Sequence, residues 1–224
     1  MPRAYDRAIT IFSPEGRLYQ VEYALELVKR GAPIVGVASP EGVVLAANET
    51  PESNLEDPEY FRKIYQLDDH LASAISGLSS DARVLIGQAR VYCQSNKLLY
   101  DEDVDVEILA RRLGDMSQQY TQHAGVRPFG VTMILAGVDA TGPRVITTDP
   151  SGAYRGFKAV AVGRKNDEAN KLLEEQYTDD ITLDDAIKLA IQAIKNSLRQ
   201  RSNKGHGKGS GDTRGYKSVQ EACC

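Results

Sequence analysis

Cysteine is scarce in this chain, and its three copies are badly placed for cross-linking: Cys93 falls within a helical pattern, while Cys223 and Cys224 are adjacent. That spacing excludes a disulfide framework. Histidine is equally sparse. His70, His123 and His206 fall in unrelated contexts and none is spaced with a cysteine as zinc requires, so neither a structural metal nor another cofactor is expected. No apolar run approaches the ~20 residues of a membrane span, and the opening MPRAYDR has no signal-peptide core, which leads us to expect a cytoplasmic protein. With a formal net charge of -4 there is no excess of cations to attract nucleic acid or an anionic membrane. Nucleophile motifs are missing too. There is no Gly-x-Ser-x-Gly elbow, Cys93 reads as a buried core thiol, and the glycine-rich run 205–210 follows a helix instead of joining a strand to one, as a phosphate loop would.

What is present suits one globular domain: 224 residues, 42% hydrophobic and 26% charged, are enough to bury a sizeable core. The stretch 5–31 organises the reading. Pro14 suits the first turn of a helix, Lys29 and Arg30 complement its C-terminal dipole, and Gly31 followed by Pro33 ends it. Leu18, Val21, Leu25 and Val28 form its apolar stripe. Strand patterns at 34–38 and 43–48 flank the turn Ser39-Pro40-Glu41-Gly42, and a second hairpin spans 63–76 across Asp68-Asp69. Two helices follow, with Ser80 and Asp105 as N-cap candidates. Strands return at 131–138, 144–148 and 153–162, before helices at 166–177 and 183–198, the latter opened by a capping box at Thr182. Strands, two helices, strands, two helices is not the alternation of a parallel doubly wound sheet. We expect an α+β fold, a four-layer αββα sandwich with an extra N-terminal helix. From about Gln200 the chain is glycine-rich, basic and nearly devoid of aliphatic residues, so 200–224 is expected to be disordered.

Tyr5-Asp6-Arg7, then 10–18 as TIFSPEGRL, then Gln20-Val21-Glu22-Tyr23-Ala24 resembles the N-terminal signature of proteasome 20S core α-type subunits, archaeal in style. Further pieces are similar to that family: KIYQL at 63–67, Ser76-Gly77-Leu78, Asp81-Ala82-Arg83, and GVRPFG at 125–130. The resemblance implies the N-terminal-nucleophile hydrolase fold over 1–199, with a gate segment at 1–12 and a helix within 13–31. It implies a heptameric outer ring that gates substrate entry, stacks on a β-subunit ring and docks a proteasome-activating ATPase for protein degradation. Members of the family continue after 200 into another apolar strand and a charged helix, neither of which is visible here.

The sister β-type subunits cleave peptides with an N-terminal threonine whose own amine is the base. Ala32 stands at that place here, inside the chain with Pro33 after it, and Asn48 stands where an acidic partner is expected. A non-catalytic subunit is therefore implied; the alternative is an amidohydrolase of the same fold acting outside a ring. The family assigns Tyr5, Asp6, Arg7, Pro14 and Tyr23 to the gate. It assigns Lys63, Gly77, Leu78, Glu22 and Gly31 to the activator-binding pocket, and His123, Ala124 and Gly125 to the lining of the annulus. Without the resemblance these read as a capped N-terminus, an edge lysine that discourages sheet association, and an ordinary loop.

Overall fold

The computed structural model describes residues 11–49, 53, 55, 57, 60, 62–123 and 125–198, together with the backbone of 219–222. In chain order the elements are α1 (Tyr19–Arg30), β1 (Ile34–Ser39), β2 (Gly42–Ala47), β3 (Ile64–Asp68), β4 (Leu71–Gly77), α2 (Ser79–Tyr100) and α3 (Val106–Gln122). They continue with β5 (Val131–Asp139), β6 (Gly142–Thr148), β7 (Tyr154–Phe157), β8 (Ala159–Val162), α4 (Asn166–Gln176), α5 (Leu183–Leu198) and β9 (Val219–Ala222).

The strands make two sheets, ordered β8-β1-β2-β9 and β3-β4-β5-β6-β7, whose neighbours run antiparallel. Side-chain alternation sorts the strand residues between layers. On β4, Leu71 and Ile75 face α2 and α3 while Ala72 and Ala74 face the other sheet; on β5, Met133 and Leu135 divide from Ile134 and Ala136 in the same way. On β1 and β2, Val35, Val37 and Val44 pack under α5, whereas Ile34, Val43 and Leu45 fill the space between the sheets. Three apolar layers thus separate four structural ones, the αββα sandwich expected. The sheets approach closely at Gly36, where an added Cβ would come within 2.8 Å of Ile134 and 2.9 Å of Val145.

Several local expectations need correction. The first helix starts at Tyr19, because Ser13 to Gly16 closes a turn with Gly16 N–H donating to the Ser13 carbonyl at 2.8 Å, and Pro14 takes the second position of that turn. Its buried face is Val21, Ala24 and Val28, with Leu18 and Leu25 only half-buried. Ser80 does not cap α2; the chain leaves β4 through Gly77, and Leu78, in an extended conformation, precedes the first helical residue. Asp105 is the N-cap of α3 but makes no side-chain capping bond, and the Val106 N–H is received instead by Asp139 Oδ2 at 3.1 Å. At α5 the Asp185 N–H donates to Thr182 Oγ1 at 3.3 Å, as the capping box requires.

The segment 153–162, read as one strand, is two in different sheets. β7 pairs with β6, β8 pairs with β1, and the Lys158 carbonyl between them accepts from Ala38 N–H at 2.8 Å. A continuous β pattern carries no signal for such a crossing. The expectation of disorder beyond 200 is overturned for 219–222, where β9 pairs with β2 from Val43↔Ala222 to Ala46↔Val219. Strand pairing of this kind rests on main-chain hydrogen bonds, which a composition argument does not count. The rest of the C-terminal segment lies outside the described residues. No helix among the described residues is long and apolar enough to cross a membrane.

Candidate functional site

The residues after α1 converge on the end of β4. The Ser76 hydroxyl donates to the Ala32 carbonyl at 3.0 Å and lies 3.4 Å from the Val28 carbonyl, so it ties the helix C-terminus and the following link to the sheet. Gly31 ends α1 by donating its N–H to the Val28 carbonyl at 2.9 Å, with an ordinary φ of -63°. It is required for space. A Cβ at Gly31 would lie 2.6 Å from Gly77 N and from Ser76 Oγ. Gly77 has φ +115° and a hypothetical Cβ only 2.2 Å from the Gly130 carbonyl oxygen, while Leu78 N–H donates to that same carbonyl at 2.8 Å. Gly163 closes the other side, where a side chain would meet the Ala32 carbonyl at 2.6 Å.

Ala32 therefore sits in a continuous, tightly packed link and contributes a methyl group and a bonded carbonyl. The Cys93 thiol is fully buried, and burial first, with the Asp68 carboxylate second, pushes its pKa up to about 12. It is held as a thiol at neutral pH, as the sequence reading of a core cysteine expects.

Lys63 stands at the start of β3, and its carbonyl accepts from Ile75 N–H at 2.9 Å, two residues short of Gly77. Its position is fixed by Glu49, whose Oε1 receives the N–H groups of Lys63 at 2.5 Å and Ile64 at 3.2 Å. Burial lowers the Lys63 ammonium below its ordinary pKa and the Glu49 charge opposes that shift. The fold thus brings Lys63, Gly77, Leu78 and Gly31 to one end of the β3-β4-β5 sheet. Glu22 is not with them. It is nine residues before Gly31, about 13.5 Å along the helix, where it pairs with Arg17; that pairing holds its carboxyl below the usual range.

Of the residues that the resemblance assigns to the gate, Tyr5, Asp6 and Arg7 lie outside the described residues. Pro14 is exposed in the turn before α1, and Tyr23 is 50% exposed and stacks on Tyr19 with ring centroids 6.4 Å apart. Arg17 lies over the Tyr19 ring at 4.9 Å, so an ion pair and two tyrosines share this surface. In the loop assigned to the annulus, His123 Nδ1 donates to the Gln119 carbonyl at 2.7 Å and Gly125 has φ +87° in open space. Ala124 lies outside the described residues.

The sequence reading passed over the bolt that holds this region. Asp81, 7% exposed at the start of α2, receives both Arg127 terminal nitrogens, at 2.5 and 2.8 Å, and the Gly130 N–H at 2.8 Å. The Arg127 hydrogen bonds hold the Asp81 carboxyl below its ordinary pKa despite opposing burial, with Gly130 N–H adding to the effect. Aspartate and arginine are 46 positions apart, so no local pattern links them. We expect Asp81→Asn to lower stability by about 1–2 kcal/mol at neutral pH, because a neutral acceptor replaces a charge-assisted one. Since the folded pKa lies below the unfolded one, this contribution is complete above the ordinary carboxylate value and fades as pH falls through the folded value. Urea midpoints of the two chains should therefore draw together only as pH falls from about 4 through the folded value; a gap unchanged well below that value would assign the effect to packing.

Comparison with known proteins agrees with this arrangement. A family model described as proteasome subunit matches residues 28–208, and a second, for the N-terminal signature of A-type proteasome subunits, matches residues 5–26. The chain is 52% identical over 193 residues to the proteasome alpha subunit of Methanocaldococcus jannaschii, covering 86% of this chain and 74% of that one. It is 48% identical over 199 residues to that of Methanopyrus kandleri, covering 89% and 81%, and 49% identical over 198 residues to that of Pyrococcus abyssi, covering 88% and 76%. With half of its residues shared along most of its length, and with the N-terminal signature intact, the chain belongs to the proteasome subunit family, on its α-type, archaeal branch.

Proposed function

We propose that the chain is a non-catalytic α-type subunit of the 20S core particle, seven of which form the outer ring that gates substrate entry and docks an activator ATPase. The observation that carries this reading is Ala32. The place where the resemblance puts the catalytic threonine of sister subunits holds a methyl group in mid-chain, with its carbonyl bonded to Ser76 and glycines packed on either side. Neither a hydroxyl nor a free amine is available to attack a peptide.

Assembly is supported by what α1 leaves outside. Val21, Ala24 and Val28 are spent on the helix's own sheet, against β4 and β5. Tyr23 and Leu27 on the helix, and Ile11 and Phe12 before it, stay 41–63% exposed, an apolar set that a neighbouring subunit would cover. In such a ring, Glu22 would border the activator pocket of an adjacent chain, which reconciles its family assignment with its distance from Gly31. The segment 1–12, with Tyr5, Asp6, Arg7, Pro14 and Tyr23, would form the gate, and the 123–125 loop would line the opening. The setting is the cytoplasm, and unfolded proteins are the material in transit.

Native mass spectrometry of the purified chain should give a seven-subunit mass or its double. Reconstituted with an active β ring, a chain lacking residues 1–10 should hydrolyse small peptides several times faster than the full-length chain, with the cleavage-site preference unchanged. Peptide cleavage by the purified chain alone, or a monomeric mass, would point instead to an amidohydrolase working outside a ring.

A further inference from the structure

A second polar cluster lies at the opposite end of the β3–β4 hairpin. The turn Asp69-His70 brings the His70 ring, 5% exposed, under the connection between α2 and α3. His70 Nε2 is 2.9 Å from the Val104 carbonyl. A carbonyl only accepts, so Nε2 carries the proton and the lone pair of the neutral ring is at Nδ1. That Nδ1 has no hydrogen-bond partner. It faces Asp68 Oδ2 at 4.0 Å, which is also buried and without a hydrogen bond, the other Asp68 oxygen being occupied by Asp69 N–H at 2.9 Å. With the ring neutral, two buried acceptors face each other here, an arrangement that is costly unless a proton or a metal ion lies between them. A carboxylate oxygen of Asp103 completes the set, and all three ligand atoms lie within 4.8 Å of one another.

We propose that Asp68, His70 and Asp103 form a binding site for a divalent transition-metal ion, with zinc or manganese best suited to one imidazole and two carboxylates. Ligand atoms about 2.0–2.2 Å from such an ion stand roughly 3.0–3.4 Å apart. From 4.0 Å, the Nδ1–Oδ2 pair closes by about 1 Å or less, and the Asp103 carboxylate, within 4.8 Å of both, swings in by up to about 1.8 Å. The second nitrogen of a metal-bound histidine ordinarily donates to a carbonyl or carboxylate, which fixes the tautomer; Val104 already does this for His70. Asp103 is 49% exposed at its side chain and gives an ion a path from solvent. The built-in competitor is Lys97, whose Nζ lies 2.7 Å from Asp103 Oδ1. A bound ion would pin the α2–α3 connection to the hairpin turn.

The test uses the full chain carrying Cys223→Ser, Cys224→Ser, His123→Gln and His206→Gln, which leaves His70 as the one histidine and the buried Cys93 as the one thiol, and Co²⁺ as a spectroscopic probe confirmed with Zn²⁺. One ion per chain is expected, with a rise in melting temperature on the order of 5 °C at a hundredfold excess over Kd. Asp68→Asn and the surface variant Asp103→Asn should each weaken binding at least tenfold, and Lys97→Gln should strengthen it severalfold. Absence of uptake at millimolar metal overturns the proposal, as does uptake that Asp68→Asn and Asp103→Asn leave unchanged. Because the site is remote from Ala32 and Lys63 in the fold, its failure would leave the proposed ring function untouched.

Discussion

Gly77→Ala should be the most damaging glycine-to-alanine change among the described residues, lowering stability by about 3–5 kcal/mol, the sum of left-handed backbone strain and overpacking. The two terms separate by position. Gly77 combines φ +115° with a Cβ that would sit 2.2 Å from the Gly130 oxygen, whereas Gly16 has φ +77° and nothing within 4 Å. Gly16→Ala should therefore lose only the strain, about 1 kcal/mol. The collision at Gly77 cannot be relieved by turning a side chain, because the atom struck belongs to the backbone of the segment entering β5. Relief requires pulling β4 from β5, which loses the Leu78-to-Gly130 hydrogen bond and the seat of Gly31 together. Urea unfolding of the two variants checks this; equal midpoint shifts would show that the close approach is not what demands glycine.

Lys63→Ala should leave ring assembly and basal peptide hydrolysis by the full barrel unchanged, yet weaken activator binding by roughly tenfold to a hundredfold. A docking tail that ends in a carboxylate needs a cation within reach and open backbone groups beside it. Lys63 supplies the first on a flexible stem, partly shielded from water, which strengthens its attraction for an incoming anion. The end of β4 supplies the second. Glu49 holds the lysine's backbone and not merely its side chain, so the alanine variant keeps the β3 start in place and isolates the loss of charge. Stimulation measured at sub-saturating activator is the readout, and wild-type stimulation in that variant would return Lys63 to the role of an edge lysine. Restoration by Lys63→Arg would separate charge from the ammonium's particular shape.

Much of the architecture was legible because it is written at short range. Alternation on β4, with Leu71 and Ile75 against Ala72 and Ala74, is a period of two that any reading detects, and the helix stripes are equally local. The order of elements then excluded a parallel sheet. What remained hidden depends on residues far apart in sequence. The Asp81–Arg127 bolt, the meeting of His70 with Val104 and the passage of 153–162 between sheets arise only when layers stack. Even α1 shows the limit: periodicity marked a stripe, but the sheet beneath chose Ala24 over Leu18 and Leu25 as the buried member. For the candidate site, the resemblance named Lys63, Gly77 and Gly31. The structure supplies the reason two of them must be glycines.

The pairing of β9 with β2 has a consequence for biosynthesis. β1 and β2 are complete by residue 47, but the strand that covers the outer edge of β2 is not synthesised until residues 219–222. Until then that edge offers unpaired amides and carbonyls to any passing strand, including the same segment of a nascent neighbour. Every copy of the chain thus carries a half-finished sheet while the roughly 170 residues between β2 and β9 are made.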